Sequence, residues 1–158
     1  MPNAELKETA WVDNFYQLKR IAANFSGIPY LAVDTESNSL FAYQEQVCLV
    51  QFSVESNDYL VDPLAISDLS PLEPVFADPH TEKIFHAAEY DIICLKRDFG
   101  FRFENIFDTM VAARLLGRPA VGLGSVLEAE FGITLDKRYQ RANWGQRPLP
   151  PAQKAYAR

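Results

Sequence analysis

The hydrophobic and polar positions of this chain switch between a period near two and a period near 3.6, which are typical of strands and helices respectively. Apolar runs bounded by turn residues predict strands at residues 30–36, 47–54, 59–61, 83–86 and 103–107. Helical spacing predicts helices at residues 11–25, 68–76, 90–99, 109–116, and from 125 and 153 onward. The early strands follow one another through hairpin-like turns, and the later strands alternate with helices. We therefore predict an α/β fold whose mixed sheet combines three antiparallel strands with parallel strands and is flanked by helices.

Capping residues indicate where several of these helices begin. Asp13 or Asn14 is expected to cap the first helix, and Asp108 is expected to cap the helix at residues 109–116. Ser125 and Glu128 have the spacing of a capping box, which predicts that a helix begins at Ser125.

Two carboxylates follow the first apolar run directly, since Asp34 and Glu36 come after residues 30–33. Side chains two positions apart on a strand point to the same face, about 6.6 Å apart at roughly 3.3 Å per residue. Like charges held side by side repel each other unless a cation lies between them, and hard oxygen ligands suit Mg²⁺ or Mn²⁺. The pair is therefore either a metal site or an exposed strand end.

A second group of polar residues, His86 and Asp91, lies between the strand at 83–86 and the helix that follows it. Asp91 falls in the first turn of that helix, where an aspartate also interacts favourably with the helix dipole. His86 is expected to be a hydrogen-bonded core histidine rather than a metal ligand.

Length and composition are those of a single globular domain that comprises residues 1–158, since 48% of the chain is hydrophobic and 13% is aromatic. Cys48 and Cys94 both lie in apolar segments, which predicts buried, reduced thiols. The first residues do not resemble a secretory signal, and no apolar run approaches the length of about 20 residues that a membrane span needs. We expect a soluble, cytoplasmic protein without a membrane partner.

The charge is distributed unevenly along the chain. The net charge is −6, but residues 137–158 contain six cations and no acid, so the preceding residues carry −12. These cations are Lys137, Arg138, Arg141, Arg147, Lys154 and Arg158. The segment is either a solvated charged surface or a phosphate-binding one.

These motifs in combination resemble the ribonuclease D family of 3′→5′ exonucleases. The resemblance consists of Asp-x-Glu at Asp34, His-x-x-x-Tyr-Asp at His86, and Gln-x-x-Tyr-Ala at Gln153. Residues 47–52 and 107–113 also look like that family's second strand and its Phe-Asp-Thr-x-x-Ala-Ala segment. The family belongs to the DnaQ-like, ribonuclease H-like superfamily, in the group that uses four acids and a tyrosine.

The resemblance implies a hydrolase that uses two divalent metal ions, Mg²⁺ or Mn²⁺, to cleave phosphodiester bonds at the 3′ end of single-stranded nucleic acid. Asp34, Glu36 and Asp91 would be metal ligands, with Asp34 bridging both ions, and Tyr156 would orient the attacking water. RNA is the expected substrate. The alternatives are a DNA-directed exonuclease of the same fold, a catalytically degenerate nucleic-acid-binding domain, and an unrelated acidic metal-binding domain, which a wholly parallel sheet would favour.

Several further residues are expected to contact the substrate. Leu40 or Phe41 would pack on the terminal base, cations of the basic segment would hold backbone phosphates, and Trp144 would either stack on a base or pack in the core. These expected substrate-binding residues are Leu40, Phe41, Lys137, Arg141, Trp144 and Arg147.

The chain departs from the family pattern at one point. The family's third motif places an acid four residues after the tyrosine, on the same helix face. Counted from Tyr156, that acid would stand at position 160, whereas the sequence ends at Arg158. We therefore expect these 158 residues to be a truncated part of a longer protein, with weak activity or none on their own.

Overall fold

The computed structural model describes residues 8–55 and 57–157, so Arg158 and the first residues of the chain lie outside the described part. One sheet contains the strands β1 (Glu8–Val12), β2 (Tyr30–Ser37), β3 (Val47–Ser53), β4 (Asn57–Val61), β5 (Glu82–Phe85) and β6 (Ile106–Asp108). The helices are α1 (Phe15–Asn24), α2 (Glu73–Ala77), α3 (Ala88–Phe99), α4 (Thr109–Leu115), α5 (Leu123–Phe131) and α6 (Pro151–Tyr156), and a 3₁₀ turn (Ser70–Leu72) leads into α2. Within this part of the chain, no helix is both long and apolar enough to cross a bilayer.

The sheet is mixed, and its strand order is β1-β4-β3-β2-β5-β6. β3 runs antiparallel to both β2 and β4, whereas β1 lies parallel to β4, β5 to β2, and β6 to β5. The predicted fold class is therefore confirmed. The alternative of an unrelated metal-binding domain, which a wholly parallel sheet would have favoured, loses its support.

β3 is buried on both faces because its residues contribute to two separate hydrophobic clusters. Its first four residues, Val47–Val50, are at most 1% exposed, which explains why the run is apolar without alternation. Val50 and Phe52 belong to the larger core, and Cys48 and Leu49 belong to a smaller cluster. Cys48 and Cys94 are free and buried, as predicted.

The start of the chain differs from the prediction. Residues 8–12 form an edge strand paired with β4, and α1 begins only at Phe15, with the Asn14 side chain accepting a hydrogen bond from the Gln17 amide at 3.0 Å. Trp11 fits helical spacing with the residues after it, so the apolar period alone extended the helix too far. The Lys154 ammonium group lies 3.7 Å from the centre of the Trp11 ring, which joins this edge strand to α6.

Two other local predictions are wrong. Ser125 lies inside α5, which begins at Leu123 after Gly122 and has no side-chain cap. The strand expected at 103–107 is instead Ile106–Asp108, where three residues suffice to pair with β5. Local spacing found both elements but misplaced their ends.

Candidate active site

Asp34 and Glu36 lie on the part of β2 that extends beyond its pairing with β5. Pairing with β5 ends at Ala32, while pairing with β3 continues, so that Asp34 lies opposite Gln51. From Val33 onward the β5 side of β2 is therefore not covered by a strand. Sites in sheets of this kind form at such openings, beyond the carboxyl ends of the parallel strands.

Asp108 shapes the backbone that carries the next acid. Its carboxylate accepts hydrogen bonds from the amides of Ala87 (3.1 Å) and Ala88 (2.9 Å) at the start of α3, and from Met110 and Val111 at the start of α4. Burial by itself raises the pKa of Asp108, but these four bonds together hold that pKa below its usual range. Asp108 thus caps α4, as predicted. It also accepts hydrogen bonds from backbone amides at the start of α3 that have no partner within the helix. Ala87, which precedes α3, has a left-handed backbone with φ 62°.

Asp91 projects from the first turn of α3 towards the end of β2. It is 8% exposed, and its Oδ1 accepts a hydrogen bond from the Thr35 hydroxyl. A nearly buried carboxylate that accepts a single side-chain hydrogen bond lowers the stability of the fold unless another partner neutralises its charge. The sequence placed Asp91 at a helix start, and the structure brings it beside the β2 acids.

The three carboxylates lie close enough to repel one another. Burial, followed by the charges of Asp34 and Asp91, raises the pKa of Glu36 to about 8. Burial is also the largest cause that raises the pKa of Asp91, to about 6, and that of Asp34, although Asp34 stays open to solvent on one side. Such stored repulsion is what a divalent cation relieves.

The donor chemistry of this site fits a hard divalent cation, because Asp34, Glu36 and Asp91 offer only carboxylate oxygens. No three His, Cys, Asp or Glu side chains of the described residues are arranged to hold an ion as they stand. The fit therefore rests on the type and mutual repulsion of the ligands, and the carboxylates would have to draw together around an ion.

Tyr156 on α6 faces the same acids from a distant part of the chain. Burial, followed by the charges of Glu36, Asp136 and Asp34, raises the pKa of its phenol above the usual value. The phenol therefore stays protonated at neutral pH, where it is able to donate a hydrogen bond. The structure brings together all four predicted catalytic residues, which come from β2, α3 and α6.

Trp144 packs against Tyr156. Trp144 is 1% exposed, and its ring centre lies 6.1 Å from that of Tyr156, while Tyr139 meets Tyr156 edge-on at 5.6 Å. The Gln51 side chain, opposite Asp34, donates to the Ala157 carbonyl at 2.9 Å and so ties the end of α6 to β3. Trp144 is therefore a packing residue, which is the second of its two predicted roles, and its ring does not reach the surface where it could stack on a base.

Arg147 is a structural residue too, contrary to its predicted role in phosphate binding. Its guanidinium donates two bonds to Asp62, at 2.8 and 2.7 Å, and others to the carbonyls of Cys48, Trp144 and Gln146. A guanidinium has five N–H groups, so these five bonds leave none for a substrate. The side chain joins β3 and the end of β4 to the loop before α6.

The other cations of the basic segment separate into paired and unpaired groups. Arg138 forms an ion pair with Asp136 at 2.7 Å, and Lys154 lies over Trp11. Lys137 and Arg141 are exposed, and their charged groups make no hydrogen bond or ion pair with the rest of the described chain. Among the cations of this segment that the structure describes, Lys137 and Arg141 are the ones that remain candidates for binding phosphates.

The loop between β2 and β3 is anchored at its base. Asn38 is 8% exposed, and its side chain accepts from the Gln46 amide at 2.9 Å. Glu45 accepts from the Tyr90 hydroxyl and, at 2.7 Å, from Arg97, both on α3. At the tip of the loop, Leu40 is 60% and Phe41 54% exposed, and the contact of either with a terminal base stays a prediction.

His86 is hydrogen-bonded within the fold, as predicted. Its Nδ1 lies 2.9 Å from the Thr109 hydroxyl, and that hydroxyl donates to the Phe85 carbonyl at 3.0 Å. The hydroxyl proton is therefore used, and a neutral His86 carries its proton on Nδ1.

Three residues near the site were missed in the sequence. Thr35 lies between the two acids, so its position alone was a signal. Asp62 follows the apolar run of β4 just as Asp34 follows that of β2, and this pattern marked it as an acid that needs a partner. Glu45 had no signal, because only the folding of the loop onto α3 gives it its partners.

The charge of Glu36 makes the stability of the metal-free protein dependent on pH. A carboxyl whose pKa rises on folding, here from about 4.5 to about 8, binds protons more tightly when folded, so its contribution to stability falls as the pH rises through this window. Glu36→Gln should therefore raise the free energy of unfolding by about 2 kcal/mol at pH 8, after allowance for solvent screening, and change it little at pH 4.5. Urea unfolding in EDTA at both pH values measures this.

The matched control for this experiment is Glu128→Gln, on the exposed face of α5. An equal gain in that variant, or a gain in Glu36→Gln that does not depend on pH, would show that Glu36 is not the source of the strain.

Three acids at the rim of a mixed sheet, with a tyrosine from a late helix facing them, define a carboxylate-type nuclease on a ribonuclease H-like fold. The chain belongs to the 3′-5′ exonuclease family, whose sequence model matches residues 9–158. Apart from Glu8, the first residue of β1, that match includes every element from β1 to α6.

Relatives agree with this assignment. The chain is 41% identical over 149 residues to the Arabidopsis thaliana protein RRP6-like 3, covering 94% of this chain and 17% of that protein. It is 38% identical to the exosome complex exonuclease RRP6 of Saccharomyces cerevisiae over 94% of this chain and 20% of that protein. The chain thus spans about a fifth of the length of these curated relatives.

Solved structures confirm the fold. The catalytic core of RRP6 from Trypanosoma brucei superposes with a TM-score of 0.91 at 33% identity, over 96% of this chain and 42% of that one. Escherichia coli ribonuclease D, described as an exoribonuclease involved in structured RNA processing, superposes with a TM-score of 0.88 at 32% identity, over 95% of this chain and 40% of that one.

Proposed function

We propose that the protein containing this domain removes mononucleotides from the 3′ end of single-stranded RNA by metal-dependent hydrolysis. The observation that carries the proposal is the convergence of Asp34, Glu36, Asp91 and Tyr156 in a chain of the 3′-5′ exonuclease family. A row of acids without a resident cation would repel a phosphodiester, so the site makes chemical sense only with divalent ions.

Asp34, Glu36 and Asp91 would hold two ions, Mg²⁺ or Mn²⁺, with Asp34 shared between them. When bound, such ions polarise the phosphoryl oxygens and lower the pKa of a bound water. The described chain supplies the rest. Tyr156, protonated at neutral pH, holds the attacking water in line by a hydrogen bond, and its packing against Tyr139 and Trp144 fixes the direction of that bond.

A fourth acid completes the proposed site. The family spacing Tyr-x-x-x-Asp would place it one helical turn after Tyr156. We propose that an acid of the full-length protein takes this place.

RNA is the proposed substrate class, because the relatives named above include an exosome exonuclease and a ribonuclease that processes structured RNA. Leu40 and Phe41 on the anchored loop would pack on the terminal base, and the unpaired Lys137 and Arg141 would contact backbone phosphates. We propose a cytoplasmic location on the basis of the sequence alone.

The test uses the full-length natural protein and single-stranded RNA labelled at either end. In Mg²⁺ or Mn²⁺, 3′-labelled RNA should release labelled mononucleotide at once, whereas 5′-labelled RNA should shorten in steps. EDTA should stop both processes, and excess Mn²⁺ should restore them. DNA of the same sequence, assayed in parallel, compares the two substrate classes.

Two outcomes would contradict the proposal. Activity that persists in EDTA would exclude the metal-dependent mechanism. RNA that binds without any release, at several Mn²⁺ concentrations, would instead support a catalytically degenerate binding domain.

A further inference from the structure

Thr35 contacts both aspartates of the site. Its backbone amide donates to Asp34 Oδ1 at 2.9 Å, and its hydroxyl donates to Asp91 Oδ1 at 2.5 Å. Asp91 belongs to α3, so the Thr35 side chain connects the end of β2 with that helix. One residue thereby ties β2 to α3 between the ligands that each element contributes.

Each of these two bonds engages one oxygen of one aspartate. A carboxylate has two oxygens, and in each aspartate Thr35 engages Oδ1. No other side chain of the described residues donates to Asp34 or Asp91, and the Asp91 carboxylate also interacts with its own backbone amide. A bond that occupies one oxygen also fixes the direction in which the other one points.

We propose that Thr35 is a positioning residue for metal binding, which holds Asp91 at a fixed orientation to Asp34 through its hydroxyl. The inference rests on the proposed function, since it concerns the same metal site. The bond to Asp34 comes from the backbone and survives any substitution except proline, so the side chain acts on Asp91 alone. That separation makes the effect of the hydroxyl measurable.

A purely structural role is the rival explanation. The hydroxyl links a strand to a helix, and losing it would leave the nearly buried Asp91 carboxylate without this donor. Such a loss would lower the stability of the fold even if the bond had no role in metal binding. Stability alone therefore cannot separate the two roles, whereas metal affinity can.

Thr81 provides a matched control. It is 1% exposed, and its hydroxyl donates to the Ile28 carbonyl at 2.8 Å, so Thr81→Val also removes a buried hydroxyl bond. It precedes β5, at the end of that strand opposite to the acids. Any loss of stability that comes simply from removing a buried hydroxyl bond therefore appears in both Thr35→Val and Thr81→Val.

The experiment measures Mn²⁺ binding to the full-length protein by titration calorimetry and electron paramagnetic resonance, without substrate. Thr35→Val should weaken binding about tenfold, as is typical when a residue that orients a metal ligand is lost. Thr35→Ser, which keeps the hydroxyl, should bind within about twofold of wild type, and Thr81→Val should bind as wild type does. Thermal unfolding of all four proteins shows which differences come from stability.

Unchanged Mn²⁺ affinity in Thr35→Val would overturn this inference and leave the proposed function standing, since the wild type would still bind metal. Equal weakening in Thr35→Val and Thr81→Val would also overturn it, because the effect would then be one of stability. A wild-type protein that binds no Mn²⁺ and releases no nucleotide would overturn the proposed function, and this inference with it.

Discussion

Asp34→Asn should reduce the release of 3′ nucleotides by the full-length protein about 10³-fold, the scale on which an electrostatic group worth about 4 kcal/mol is lost. The amide keeps the size of the side chain and its acceptor for the Thr35 amide, but it removes the charge that the proposed ions share. Initial rates on 3′-labelled RNA in saturating Mg²⁺, together with Mn²⁺ affinity, measure the effect.

The same substitution should not unfold the protein. Burial raises the pKa of Asp34, so its charge costs stability in the metal-free state, and the amide should leave the melting temperature unchanged or higher. Asp68→Asn is the control, because Asp68 is exposed and caps a turn through an oxygen that asparagine retains. Near-normal activity in Asp34→Asn would remove Asp34 from the metal site, and a lowered melting temperature would assign the loss of activity to misfolding.

Arg147→Ala should destabilise the fold by about 3 kcal/mol, because it leaves Asp62, whose side chain is 4% exposed, as an uncompensated charge. The substitution also takes a donor from three backbone carbonyls. Because Arg147 joins the loop before α6 to β3 and β4, we expect Tyr156 to lose its position as well. Urea unfolding in the presence and absence of Mg²⁺ measures the loss.

Arg138→Ala provides the comparison, since Arg138 also pairs with an aspartate in the same segment but is fully open to water. Its removal should change stability little. The opposite pattern, in which Arg147→Ala unfolds like wild type but binds RNA more weakly and with a smaller salt dependence, would restore the phosphate-binding role that its bonds argue against.

The carboxylates of the site could be found in the sequence because their signals are local. Asp34 and Glu36 follow an apolar strand directly, and Asp91 follows a strand within one helical turn, so position along the chain already implied a sheet rim. The caps formed by Asn14 and Asp108 were predictable for the same reason, because a cap depends on the residues just beside it.

Arg147 was misjudged, and the sequence left two roles open for Trp144, because the roles of both depend on residues far away in the chain. A cation in a basic segment looks the same in sequence whether it faces solvent or a buried acid, and Asp62 lies 85 positions from Arg147. Trp144 likewise reads as a stacking residue until the cluster beneath α6 is seen to enclose it. The edge strand β1 was missed because its pairing partner β4 is also distant, with Asn57 lying 49 positions after Glu8.

The sequence by itself determined which acids are available and that two of them share one strand face. These two points follow from side-chain identity and from the short period of a strand, whereas the tyrosine motif was recognised through the resemblance to a known family. Only the tertiary structure decided which cations are free, what holds Tyr156, and that the Thr35 hydroxyl reaches Asp91. Those facts depend on contacts between distant segments, and such contacts form only when the apolar faces of those segments pack together.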